Sequence, residues 1–163
     1  MPAHIAETCC FTGHRETPSE QREAIAQRLR TEIMKLIEQG YRYFGAGGAL
    51  GFDTLAENVV LELREQYPQI RLILVLPCLS QASSWSEPDK KVYEQIKCKA
   101  NKIVYTSQDY TRGCMHKRNR HLVDNSSACI CYLTKATGGT AYTVEYAKAK
   151  GLKIIPINTE ESC

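Results

Sequence analysis

The chain has 163 residues, 43% of them hydrophobic and 24% charged, and a formal net charge of +3. That is the size and balance of one ordinary globular domain, with too little positive charge to form a nucleic-acid surface unless the basic residues cluster. No internal repeat, low-complexity tract or linker breaks the chain, so one domain over residues 1–163 is expected.

Eight cysteines would suit a disulfide scaffold only in a short secreted chain, and the opening MPAHIAETCCFTGHRE holds no apolar stretch long enough for a secretory leader. A reduced, cytoplasmic protein is expected. Cys129 and Cys131 are spaced to share one face of a strand, but no second Cys or His pair stands at zinc-ligand spacing. They are therefore expected in the core, and neither a metal nor a cofactor is assigned. The longest apolar run, LILVLP, falls far short of the roughly 20 residues of a membrane span.

In chain order, TCCF (8–11) predicts a first strand. Segment 18–39 predicts a helix, with Ile25, Leu29, Ile33, Leu36 and Ile37 on one stripe. Thr17 is its expected N-cap, Pro18 its first residue, Glu20 the partner in a capping box, and Gly40 its stop. YRYFGA (41–46) predicts the second strand, followed by a helix over 53–66 carrying Leu55, Ala56, Val59, Val60 and Leu63. RLILVLP (71–77) is the third strand and 87–100 a weaker helix with Val92 and Ile96. KIVYT (102–106), a helix over 115–126, ACICYL (128–133), a helix over 140–150 ended by Gly151, and KIIPIN (153–158) complete the series. Alternating strands and helices predict an α/β fold, a Rossmann-like three-layer sandwich with a mainly parallel sheet of about six strands. If the strand order is 3-2-1-4-5, the ligand crevice opens between the first and fourth strands.

Three special loops follow strands one, two and five: TGHR (12–15), GAGGALGFD (45–53) and TKATGGT (134–140). All lie at the carboxyl edge of the sheet, where ligands bind in open parallel α/β folds. Glycines there make tight turns, and they also let backbone N–H groups at helix starts reach an anion. Three such loops on one edge favour a phosphate-bearing ligand held by Gly13, Gly47, Gly48, Gly51, Gly138, Gly139 and Thr140. The G-x-G-x-x-G dinucleotide pattern is absent because Leu50 occupies its last position, and no P-loop ending G-K-[ST] occurs. His14 and Arg15 could donate to phosphate or to a base edge, or only steady their turn. Asp53 could take a ribose hydroxyl or cap its helix. Trp85 could stack on a base or anchor packing.

GGALGFDTLAENVVL resembles the G-x-x-x-G-x-D-x-x-A-H segment of the DNA-processing protein DprA. MHKRNRHLVDNSSACICYLTKATGGTAYTVEYA resembles the M-x-x-R-K and P-G-G-x-G-T-x-x-E signatures of the LOG phosphoribohydrolases. Together these identify the chain as a member of the SLOG superfamily, and the run from FTGHR through LPC and Trp85 to GLKIIPIN is most similar to its YpsA/YoqJ branch. Met115, Arg118, Gly138, Gly139 and Glu145 match the LOG signatures. Asn119 replaces the lysine, Thr137 the proline, Ala141 the third glycine and Tyr142 the threonine.

The resemblance implies a catalytic pair, Arg118 and Glu145, and a homodimer. A carboxylate near the sugar would support cleavage of an N-glycosidic bond, with arginine orienting it or holding phosphate. Glu145, one turn or so into the last helix, is expected to aim at the crevice, its simpler role being a helix-start charge. Arg118 shares a stripe with Leu122 toward the sheet, whereas Lys117 and Arg120 suit a solvated helix face. The departures from the signatures rank binding of a nucleotide or nucleotide-derived ligand first and cleavage of a nucleoside monophosphate second, leaving enzymatic activity open. Single-stranded DNA binding ranks third, because +3 and the lack of an aromatic and basic track make nucleic acid a poor partner.

Overall fold

A computed structural model describes residues 2–158, with side chains from His4 onward. Six strands, β1 (Thr8–Gly13), β2 (Tyr43–Ala46), β3 (Arg71–Leu76), β4 (Lys102–Tyr105), β5 (Ala128–Tyr132) and β6 (Lys153–Pro156), alternate with five helices. These are α1 (Arg22–Glu38), α2 (Phe52–Gln66), α3 (Glu87–Lys99), α4 (Cys114–Asp124) and α5 (Gly139–Ala149). A short 3-10 helix over Pro2–Glu7, not anticipated from the sequence, leads into β1.

All strand pairs are parallel, and the order is β4-β3-β2-β1-β5-β6. The expected 3-2-1-4-5 order is thus corrected: β5, not β4, lies beside β1, with Cys10 opposite both Gly45 and Cys129. Burial explains the exchange. Every residue of β5 is buried, which requires a strand on each side and helices on both faces, whereas β4 is exposed at both ends and suits an edge.

Right-handed crossovers then fix the layers. The first three helices run outward from β1 to β4 on one face, where Ile25, Leu29, Phe52, Val60 and Ile96 pack with Phe11, Phe44 and Leu74. The chain returns through α4, and α4 and α5 cover the opposite face, where Leu122, Val144 and Ala147 pack with Cys10, Cys129 and Cys131. Each Ile, Leu, Val or Phe among them contributes about 1.5–3 kcal/mol when fully removed from water. Burial pushes the Cys131 thiol up to about 11, so it behaves as an apolar filler.

The start of the first helix also differs from expectation. Residues Ser19–Gln21 form a 3-10 turn, Pro18 stands at its cap in extended backbone, and α1 begins only at Arg22. The Thr17 hydroxyl accepts a bond from Arg22 Nε at 3.4 Å and caps no helix, so the capping box with Glu20 does not form. The far end matches the sequence: Gly40 N–H bonds the Ile37 carbonyl and Tyr41 N–H the Leu36 carbonyl, both at 3.0 Å, closing α1 with a Schellman turn.

Candidate functional site

Strand order reverses between β1 and β5, because chain leaving β1 and chain leaving β5 turn to opposite faces and leave a gap between them. A hollow of about 300 Å³ occupies that gap. Its walls come from three turns and one helix: Gly13, His14 and Arg15 after β1; Ala49 and Asp53 after β2; Lys135 and Thr137 to Thr140 after β5; and Met115, Arg118 and Asn119 of α4.

The first turn is pinned from behind. Phe52 N–H donates to the His14 carbonyl at 3.1 Å, and the Phe52 ring fills the place where a side chain on Gly13 would stand. Gly51, at φ +78°, leaves its Cβ position to the Arg15 carbonyl. At the edge of the hollow, Thr134 N–H donates to His14 Nε2 at 2.8 Å, which ties the β1 turn to the β5 turn. The ring must be neutral there to accept, and burial together with the Lys135 charge lowers its pKa in that direction.

Beneath the second turn lies a buried set of ionisable groups. Arg118 is only 4% exposed. Its Nε donates to Asn119 Oδ1 at 2.7 Å, its Nη1 to the Gly47 carbonyl, and its Nη2 lies 3.7 Å from Met115 Sδ. Asp53 accepts from Ala49 N–H at 3.2 Å and Glu57 from Gly48 N–H at 2.9 Å. Burial raises the Asp53 carboxyl pKa and the Arg118 charge pulls it back. Glu57 rises well above the carboxylate range, through burial and then the neighbouring Asp53. A side chain on Gly47 would reach within 2.5 Å of Arg118 Nη1, and one on Gly48 would meet Leu76. These two glycines and Gly51 are therefore required by packing, and none of the three borders the hollow.

The third turn is different. Gly138 caps α5 at φ +103° without any side-chain hydrogen bond, and nothing stands within 4 Å of where a Cβ on Gly138 or Gly139 would be. The first N–H groups of α5 have no intrahelical partner and attract negative charge. The hollow is thus bordered by an uncapped helix start and Lys135, and by the buried Asp53 of α2.

Of the residues named from the sequence, Gly13, His14, Arg15, Asp53, Arg118, Gly138, Gly139 and Thr140 meet around this space. Glu145 does not. Its side chain is 74% exposed and pairs with Lys148 at 3.3 Å. Val144 and Ala147 set the inward stripe of α5, and Glu145 falls outside it. Trp85 packs edge-on against Tyr93 at 5.1 Å, Lys117 bonds Ser107, and Arg120 reaches Tyr142, all away from the hollow. Sequence reasoning missed Lys135, although it stands in the quoted glycine turn. It also missed Glu57, whose signal is a second carboxyl one helical turn after Asp53 in an apolar segment.

A parallel sheet reversing at β1 and β5, with glycine turns and an open helix start at the reversal, defines a Rossmann-like α/β fold with a crevice at the reversal. The sequence model of the YpsA group, described as the YspA SLOG family, matches residues 9–158, and the chain belongs to this family. UPF0398 proteins of Bacillus thuringiensis (strain Al Hakam) and Bacillus cereus (strain B4264) are each 30% identical over 132 residues, covering 79% of this chain and 72% of the relative. Among solved structures, DNA processing protein A from Helicobacter pylori, reported with its single-stranded DNA binding mode, shares the fold at TM-score 0.66 and 18% identity. The match covers 95% of this chain and 66% of that protein. The DprA of Streptococcus pneumoniae matches at TM-score 0.65 and 15% identity, over 93% and 50% of the two chains. Among the described residues no helix is long and apolar enough to cross a membrane.

Proposed function

We propose that the protein binds a nucleotide or nucleotide-derived phosphorylated ligand in the hollow between β1 and β5. The observation that carries this reading is the open start of α5, where Gly138 and Gly139 face space that no protein atom fills. A phosphate fits there against free backbone N–H groups and Lys135, as anions do at helix N-termini. Asp53 then meets the sugar hydroxyls from the opposite wall. Binding takes precedence over cleavage, because Arg118 is committed to the Gly47 carbonyl and to Asn119, while Glu145 faces solvent beside Lys148.

Calorimetric titration with nucleoside monophosphates and with ribose 5-phosphate tests the proposal. Dissociation constants below about 1 mM are expected for the phosphorylated compounds, and much weaker binding for the nucleosides. Absence of any binding at millimolar concentration overturns it.

A further inference from the structure

The hollow at the sheet reversal, about 300 Å³, is at the lower limit of small-molecule sites, which span about 300–1,000 Å³. A second, larger hollow of about 620 Å³ adjoins it. The two share His14, Arg15 and Lys135, so the ridge between them is the turn that the His14 to Thr134 bond holds in place. Beyond that ridge the second hollow adds Arg22, Thr17 and Gln21.

Its charges are one-sided. Arg15, Arg22 and Lys135 border it against a single carboxylate, Glu16. None of the three cations pairs with an acid among the described residues. Arg22 is also aimed: its Nε bonds the Thr17 carbonyl at 3.3 Å and the Thr17 hydroxyl at 3.4 Å, leaving the terminal nitrogens of its fork unoccupied. Arg15 is carried by backbone locked against Gly51 and Phe52. Unpaired guanidinium forks beside an open hollow suit planar, two-point recognition of phosphate oxygens.

We propose that these hollows form one two-chamber site for a ligand bearing two phosphoryl groups, a dinucleotide. One phosphoryl group sits at the start of α5, and the second half of the molecule crosses the His14 ridge to the Arg15, Arg22 and Lys135 side. This rests on the reading of the first hollow as a nucleotide site, and Arg22, which borders only the second hollow, separates the two claims.

The experiment compares binding of adenosine monophosphate, a pyrophosphate-bridged dinucleotide, a phosphodiester dinucleotide that also carries a 5′-phosphate and a single-stranded oligonucleotide of about twelve residues to the whole protein and to Arg22→Ala and Arg22→Lys. One or both dinucleotides are expected to bind about tenfold tighter than the monophosphate, and Arg22→Ala to bring that ratio close to one, with Arg22→Lys intermediate. The two dinucleotides distinguish the sources of the second phosphoryl group. Monophosphate binding without a dinucleotide advantage, or an advantage that Arg22→Ala leaves intact, overturns the second chamber while leaving the first. A further rise in affinity from dinucleotide to oligonucleotide overturns the small-molecule assignment in favour of nucleic acid. Failure of every compound removes both readings.

Discussion

Gly51 and Gly139 both begin helices at the carboxyl edge of the sheet, yet they answer to different neighbours. Gly51 occupies a backbone region that costs other residues about 1–3 kcal/mol, and a side chain there would overlap the Arg15 carbonyl. Gly51→Ala is expected to lower stability by at least about 2 kcal/mol in urea unfolding. Gly139→Ala, at the first position of α5, meets no protein atom within 4 Å. It should fold as well as the parent and lose nucleotide affinity, because its methyl enters the hollow. Equal destabilisation by both changes would defeat the assignment. Glu57 gives a pH test. Its folded pKa lies well above 4.5, so its contribution is complete below that value and lost as pH rises through the folded pKa. Glu57→Gln keeps an acceptor for Gly48 N–H and removes the ionisation, and its melting temperature should fall less than the parent's as pH is raised above 4.5.

At the level of elements, burial separates the centre of the sheet from its edge. Ile130 in β5 is fully buried between two neighbouring strands, whereas Val104 in β4 is half-buried at the rim. Truncating Ile130 to Ala should cost about 2–5 kcal/mol and truncating Val104 about 1 kcal/mol or less, measured by denaturant midpoints. The identities of the strands and helices were legible in the sequence, because apolar runs and glycine stops mark them directly. Strand order was legible only in part. ACICY carries no charge and KIVY begins with lysine, a contrast that could have assigned centre and edge. The Thr17 cap failed for a local reason: Pro18 holds the chain extended, and the entry tightens into a 3-10 turn before the α-helix begins. The outward direction of Glu145 was readable too, since Val144 and Ala147 fix the phase of α5.

Across the whole molecule, the turns that line the hollow could be named in advance because parallel topology sends every strand end to one edge. What joins those turns could not. The bond from Thr134 to His14 spans 120 positions and that from Arg118 to Gly47 spans 71, and no periodicity encodes pairings at such separation. The chain's modest charge of +3 likewise hides how Arg15, Arg22 and Lys135 gather at one mouth. The placement of β1, paired with both β2 and β5, has a further consequence for synthesis. A ribosome releases β1 to β4 first, and until β5 (Ala128–Tyr132) emerges one side of β1 is a bare hydrogen-bonding ladder with Cys9 to Thr12 uncovered. Nascent chains stalled after β4 should therefore self-associate, and they should become soluble once β5 emerges to zip that open seam shut.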